Sequence, residues 1–228
     1  MQERHFCVDV LVVCVEFTTI CRNDIFELQC VPMKILLKEL ATVQVGYSFR
    51  SRLEVSEGGD VAVIQMKDLR DDNVVDCSDL AKIDMSGMKE HHFVRKGDLV
   101  FRSRGLVTTS ALLLEDVGRA VVAAPLLRIR VNDPDKVLSE YLSWYLNQRE
   151  AQVFLDSRAK GTFQKMIGKE AIDDLEVYLP SLERQKHIVE LAGLSAREKQ
   201  MLHELAEKRE QYILAVLMRH VTAAGRGE

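Results

Sequence analysis

The sequence lacks the features that mark membrane-spanning and secreted proteins. No apolar run approaches the roughly 20 residues that a helix needs to cross a bilayer. The longest apolar stretch, Val10 to Val15, follows charged residues and does not have the charged, apolar and small-residue order of a secretory signal. We therefore expect a cytoplasmic protein.

The cysteines lack the spacing of a disulfide framework or a zinc site. There are five, an odd number, and no C-x-x-C pair. Cys7, Cys14 and Cys21 would align on one face of a helix, but their segment is rich in Val, Thr and Phe and is more typical of a strand. We expect reduced, structural thiols and no metal site.

The chain also lacks a basic excess and any recognised catalytic motif. Its net charge of −4 excludes a basic, non-specific nucleic-acid binder, although one face of an acidic chain can carry a positive patch. There is no dinucleotide fingerprint, P-loop or nucleophile elbow. His91 and His92 are adjacent, so on a regular element their rings would point apart, which favours a solvated or sheet-edge pair over a metal site. These absences favour a binding protein over an enzyme.

Residues 1–32 differ from the rest of the chain. They hold four of the five cysteines and end at Val31-Pro32, after which Met33 opens a segment that resembles a natural start. One interpretation is an N-terminal extension produced by an over-long translation start. The alternative is a real extra strand or hairpin.

Between Leu40 and Arg130 the pattern is β-rich. Short apolar runs separated by turn residues predict several strands, and Lys96-Gly97-Asp98 predicts a tight turn between two of them. The predicted strands are Val61–Ile64, Phe93–Val94, Leu99–Phe101, Thr108–Leu114, Ala120–Ala124 and Leu126–Val131. Arg128 and Arg130 alternate with apolar residues, which predicts a half-exposed strand. This spacing indicates a compact, strongly bent sheet.

Two helical regions follow. Asp133 is a suitable N-cap and Pro134 suits the first helical position, so we expect a helix that continues with apolar residues at helical spacing until Gly161 stops it. A short helical turn and a strand, residues 175–179, then lead to Pro180. From Glu183 to His220 the chain holds one glycine and no proline, which predicts a helix of roughly 55 Å.

Such a helix cannot bury its apolar stripe on its own domain, so a partner helix is implied. The heptads are broken at Glu198 and Arg209, which favours a shared bundle over an isolated coiled coil. The residues expected to face a partner are Ile188, Leu191, Leu202, Leu205 and Tyr212. The predicted fold class is α+β: a compact β-rich domain with a few helices (33–181), one long C-terminal helix (182–220) and a disordered tail (221–228).

Three ordered segments resemble the specificity-subunit family of type I restriction–modification systems. Leu40 to Phe49 is similar to the family's opening helix-to-loop stretch, and Val94 to Gly105 to its Gly-Asp strand and following loop. Leu179 to Ile188, with Pro180 and Gln185, is similar to the joint that begins the family's long helix. Gly161 lies where the family has a glycine and small-polar loop. The resemblance covers residues 33–220.

The resemblance implies a non-catalytic DNA-reading subunit. In that family a target-recognition domain is followed by a spacer helix, and complete subunits carry two such pairs. This chain has one pair, so it resembles a half subunit that pairs with a second copy or another half through antiparallel helices. The implied partners are double-stranded DNA, a DNA adenine methyltransferase and, in complete systems, a restriction and translocase subunit. No cofactor is expected here, because S-adenosylmethionine would sit on the methyltransferase.

Three segments are candidates for DNA contact. Arginine can bond a guanine edge or a phosphate, and a glycine allows the backbone to approach DNA closely. The candidate residues are Arg102, Ser103 and Arg104; Lys160, Thr162, Gln164 and Lys165; and Tyr47, Ser48 and Arg50. Two other functions remain open: a scaffold or degenerate subunit that recruits a partner without touching DNA, and a nuclease that uses Asp135 and Glu140.

Overall fold

The fold was analysed on a computed structural model, which describes residues 33–49, 56, 58–70, 72–85, 88–105, 108–161 and 165–224, with side chains as far as residue 220. The N-terminal extension predicted for residues 1–32 lies outside the described residues. The described chain is α+β, as predicted: short strands and a few helices form a domain, and one long helix follows it. No helix in these ranges combines the length and the apolarity needed to cross a bilayer.

The regular elements are numbered in chain order. The strands are Met33–Leu36 (β1), Ala41–Val45 (β2), Val61–Ile64 (β3), Ala81–Ile83 (β4), Leu99–Arg102 (β5), Ser110–Leu112 (β6), Ala120–Val122 (β7), Leu126–Val131 (β8) and Glu176–Leu179 (β9). The helices are Leu37–Leu40 (α1), Ser139–Leu146 (α2), Arg149–Ser157 (α3), Lys169–Asp173 (α4) and Leu182–Ala224 (α5). Two 3₁₀ turns cover Met66–Asp68 and Glu90–His92.

The strands form three sheets. The main sheet has the antiparallel order β2-β8-β5-β6, and a second sheet has the order β4-β3-β7, in which β3 and β7 run parallel. Strands β1 and β9 form a separate antiparallel pair. Two predicted strands, Val61–Ile64 and Leu126–Val131, are confirmed with the same bounds.

Other local predictions are corrected. The segment expected to run from helix to loop contains strand β2. Phe93 forms only an isolated bridge, to Val121, so the predicted strand at Phe93–Val94 is wrong. The turn before β5 is present, because the Asp98 N–H donates to the Arg95 carbonyl at 2.9 Å and the Asp98 carboxylate accepts from the Arg95 N–H at 2.8 Å. Strand β5 therefore pairs with β6 and β8, not with the residues before the turn.

The main sheet lies between two apolar layers. Because side chains alternate along a strand, Leu99 and Phe101 face the helices α2 and α3, while Val100 faces the second sheet. All three are fully buried. Burial on both faces explains why β5 consists of consecutive apolar residues until Arg102.

Arg128 is buried, which corrects the expected half-exposed strand. Its side chain is 6% exposed and points toward the second layer. Its guanidinium donates to the carbonyls of His91 and Phe93, at 2.9 Å each, and to the Gln44 side-chain oxygen at 2.5 Å. Burial lowers the pKa of Arg128. The arginine is tolerated inside because these oxygens accept from both of its terminal nitrogens, although its buried Nε has no hydrogen-bond partner.

The region predicted as one helix from Asp133 is two helices. Asp133 caps a turn, with its carboxylate accepting from the Asp135 N–H at 3.0 Å, and α2 begins six residues later at Ser139. The helices separate at Asn147, whose side chain bonds both the N–H and the carbonyl of Ser110, at 2.8 Å each. This contact attaches the inter-helix link to the edge strand β6.

A buried glutamine joins the domain to the long helix. Gln185 is 0% exposed. Its side-chain oxygen accepts from the Leu138 N–H, and its nitrogen donates to the carbonyls of Lys136 and Pro180, all at 2.9 Å. One side chain thus ties the first turn of α5 to the segments before α2 and after β9.

The long helix has 43 residues, which corresponds to about 64 Å. It continues to Ala224, so residues 221–224 are helical and the disordered tail predicted from 221 is wrong there. Ile188 and Val189 pack against the domain core. Beyond them, almost every described side chain of α5 is exposed.

Candidate nucleic-acid interface

One end of the main sheet gathers the three segments predicted to contact DNA. The last residue of β2, Val45, pairs with Leu127, and the last residue of β5, Arg102, pairs with Leu126. Strands β2 and β5 therefore finish beside the start of β8. The candidate residues that follow each strand consequently leave the sheet at the same end.

The loop after α3 joins this end through Met166. Met166 forms antiparallel bridges with both Arg104 and Lys160. Lys160 and Met166 exchange two main-chain hydrogen bonds of 2.9 Å, and the Ile167 N–H donates to the Ser103 carbonyl at 2.8 Å. Two predicted loops, far apart in sequence, thus form one surface.

We call Arg104, Lys160 and Lys165 the basic edge. All three are exposed. Lys165 forms an ion pair with Asp156 at 2.9 Å, with both side chains nearly half exposed, so that pair contributes little stability and can exchange with another anion. Gly161, next to Lys160, has φ of 96°, a conformation that glycine adopts without strain.

Two predicted contacts do not lie on this surface. Ser103 is 3% exposed, and its hydroxyl donates to the Pro125 carbonyl, so its side chain is turned into the domain and away from this surface. Arg102 is partly buried and donates to the carbonyls of Met66 and Leu69, at 3.1 and 3.5 Å. The strand alternation turns Arg102 toward the second sheet, so the expectation that it projects beside Arg104 is corrected.

The third predicted segment is described only in part. Tyr47 is held by its N–H to the Val122 carbonyl at 2.7 Å and by its carbonyl, which accepts from Ala124 at 2.9 Å. Ser48 is exposed. The remaining predicted contacts, Arg50, Thr162 and Gln164, lie outside the described residues.

A histidine pair that sequence reasoning set aside lies beside Tyr47. The Tyr47 ring centroid is 5.6 Å from His92, and the centroids of His91 and His92 are 4.1 Å apart. The expectation that the two rings point apart is wrong: they lie together in a 3₁₀ turn whose His91 carbonyl accepts from Arg128. No sequence signal marked this placement, since it depends on a residue in another strand.

The environment of His92 favours its neutral form. Its Nδ1 lies 3.2 Å from the Gln44 amide nitrogen. Burial, His91 and Arg128 lower the pKa of His92. Within the described ranges, no group of three or more His, Cys, Asp or Glu side chains is placed to hold a metal ion. Asp135 and Glu140, the residues of the nuclease hypothesis, are both exposed.

The helix surface predicted to face a partner is uncovered. Leu191, Leu202, Leu205 and Tyr212 are 70%, 60%, 64% and 71% exposed. Ile188, also predicted there, instead packs partly against its own domain. Exposed apolar side chains in a row of this length mark an interaction surface.

Comparison with known proteins agrees with these features. The chain is similar to the solved structure of the HsdS subunit from Thermoanaerobacter tengcongensis, with 20% identity and a TM-score of 0.54 over 73% of this chain and 37% of that chain. It is also similar to that of the type I restriction–modification S subunit from M. genitalium, with 13% identity and a TM-score of 0.51 over 81% of this chain and 45% of that chain. A third similar chain comes from a structure concerning complex assembly and conformational transition of the type I R-M system. It has 21% identity and a TM-score of 0.57 over 84% of this chain and 44% of that chain.

The chain thus spans less than half the length of these solved proteins, and at such identities the likeness concerns the fold. No curated protein matches it significantly. The family described as the type I restriction modification DNA specificity domain matches residues 33–206. That match covers most of the sequence, and the chain belongs to the type I restriction–modification DNA specificity domain family.

Proposed function

We propose that this chain supplies a target-recognition domain and spacer helix of a type I specificity subunit. It binds a specific double-stranded DNA sequence in the cytoplasm and directs a partner adenine methyltransferase, and in complete systems a restriction subunit, to that site. The family match over residues 33–206 is the observation that carries the proposal. The convergence of two basic loops at Met166 supports it, because it provides a surface on which DNA can be read.

In this proposal the two parts of the chain have different tasks. Residues 33–181 read the DNA, and α5 connects the subunit to other proteins. In this proposal α5 packs antiparallel against another helix of the same kind, from a second copy or another half. The exposed apolar face of α5 supports this division.

The basic edge is the proposed point of DNA contact. Arg104 can bond a guanine edge with two donors or pair with a phosphate, and Lys160 can neutralise a phosphate. Tyr47, Ser48 and the histidine turn border the same end of the sheet and extend the proposed surface. The subunit performs no catalysis in this proposal, and S-adenosylmethionine binds the methyltransferase.

The proposal is tested by removing two cations from the basic edge. We expect the double variant Arg104→Ala, Lys160→Ala to weaken specific DNA binding by about 1–3 kcal/mol per lost base contact, and to lower the salt dependence for each lost phosphate contact. The control variant, Lys82→Ala with Lys96→Ala, removes the same charge from exposed sites on β4 and at the opposite end of β5.

Binding of the subunit to DNA is measured by fluorescence anisotropy at several salt concentrations, with the methyltransferase present. The DNA duplex carries the target sequence, which is identified from the sites methylated in the host. Equal affinity of the two double variants would reject the basic edge as the contact.

The scaffold hypothesis is favoured only by the exposed face of α5. It predicts recruitment of the methyltransferase with no retarded DNA species even at low salt. The nuclease hypothesis predicts metal-dependent cleavage by the purified chain, abolished by replacing Asp135 or Glu140.

A further inference from the structure

The apolar stripe of α5 follows a seven-residue repeat that is interrupted by opposite charges. With Leu202 and Leu205 as the two apolar positions of one heptad, the same positions recur at Leu191, Tyr212 and Val216. The recurrences at residues 198 and 209 are Glu198 and Arg209. The stripe therefore carries one negative and one positive residue, placed symmetrically about its central leucine pair.

The stripe is the face of α5 that needs a partner. Around the central leucines the opposite face carries polar contacts within the helix, such as Gln200 with Glu204 at 3.0 Å and His203 with Glu207 at 3.4 Å. The central leucines line a shallow, mainly apolar groove, and Arg209 is also among its lining residues. Covering this groove brings Arg209 and Glu198 into the contact with the partner.

Burial of either charge without a counter-charge is unfavourable, so the two charges restrict the pairing with a second copy. In a parallel pair, Glu198 would face the partner's Glu198, and Arg209 the partner's Arg209. An antiparallel pair shifted by one heptad would place Glu198 opposite the partner's Leu202 or Val216. Each of these arrangements leaves like charges in contact or a charge against an apolar side chain.

We propose that α5 pairs with α5 of a second copy, antiparallel, with Leu202 opposite the partner's Leu205 and Glu198 opposite the partner's Arg209. This inference rests on the proposed function, in which spacer helices pack antiparallel, and adds the register and the second copy as partner. The two-fold axis runs between the two helices at the height of residues 203 and 204. Each charged contact therefore occurs twice. In this arrangement the two heptad interruptions neutralise each other.

The other positions between Leu191 and Val216 agree with this register. Leu191 lies opposite the partner's Val216, and Ser195 opposite the partner's Tyr212, which pairs a small residue with a large one. On the flanks, Leu194 lies beside the partner's Ala215, and Ala192 beside the partner's Ile213. The register brings apolar or small residues together along the stripe and places no like charges in contact at its interruptions.

The test reverses the two charges in the full chain. Glu198→Arg alone creates two Arg–Arg contacts and Arg209→Glu alone two Glu–Glu contacts, so each single variant is expected to raise the dimer Kd by about a hundredfold or more. The double variant restores the wild-type Kd. An equimolar mixture of the two single variants forms heterodimers, because each Arg then faces a Glu.

The readout is sedimentation equilibrium of each sample, with circular dichroism to verify the helix. The controls Glu207→Arg and Arg197→Glu change the same charges on the outward face and leave the Kd unchanged. Dimers that ignore the single reversals, or a mixture that forms no heterodimer, overturn the register but leave the proposed function standing. A chain that stays monomeric overturns pairing with a second copy, while the DNA-binding test reports separately on reading.

Discussion

Replacing Gln185 by leucine should cost far more stability than its position at a helix start suggests. The side chain makes three hydrogen bonds of 2.9 Å to main-chain groups, to the Leu138 N–H and to the carbonyls of Lys136 and Pro180. Leucine has a similar volume but can satisfy none of them. The substitution therefore leaves one donor and two acceptors without this partner at a site closed to water.

The expected magnitude follows from these groups. A buried polar group without its partner costs about 1–3 kcal/mol, and such costs are not fully additive, so we expect a loss of about 3–5 kcal/mol in the free energy of unfolding. This is a large part of the roughly 5–15 kcal/mol that stabilises an ordinary domain. Gln200→Leu is the matched control: it makes the same change at an exposed position of α5 and should alter stability by about 0.5 kcal/mol or less.

The assay is urea unfolding of the full chain, followed by circular dichroism. Gln185→Glu adds a second test, because a carboxylate would face two carbonyl oxygens. Burial raises the pKa of such a carboxyl above its unfolded value, so the penalty grows as the pH rises and shrinks toward acid pH, where the protonated group can donate. If Gln185→Leu costs no more than Gln200→Leu, the buried hydrogen bonds do not hold the joint and the reasoning is refuted.

Two further predictions concern residues near the proposed interface. Arg102→Ala should lower the stability of the domain, because Arg102 donates to the carbonyls of Met66, in the first 3₁₀ turn, and Leu69, directly after it. The folded variant should keep its DNA affinity. Urea unfolding and DNA titration separate the two effects, and lost affinity at unchanged stability would show that Arg102 touches DNA. The pKa of His92 is lowered in the folded state, so the unfolded chain binds the His92 proton at a higher pH than the folded chain does. The free energy of unfolding should therefore fall as the pH drops below about 6.5. His92→Gln should reduce that fall in unfolding experiments between neutral and mildly acid pH, and an identical pH profile in both proteins would contradict the assignment.

Several elements could be predicted from the sequence because their signals are local. The runs Val61–Ile64 and Leu126–Val131 were correctly identified as strands, since four or more consecutive residues carry the pattern. The long helix was recognised from its composition and length. The joint at Gln185 was recognised by resemblance, although its three hydrogen bonds were not.

The positions of the side chains proposed to contact DNA could not be predicted in the same way. Arg102, Ser103 and Arg104 are consecutive, yet the first braces a turn, the second is buried and the third lies on the surface. Their roles depend on Met66, Pro125 and Met166, which other segments bring to them. No pattern within the segment contains that information.

The sequence alone therefore determined the strand-rich domain, the uncovered stripe of the long helix and the opposite charges within that stripe, because each depends on the spacing of neighbouring residues. Tertiary structure alone decided that Arg128 is internal, that the helix after Asp133 divides at Asn147 and that two basic loops meet at Met166. These outcomes follow from strand pairing between distant segments, where the environment of a side chain depends on residues far away in the chain.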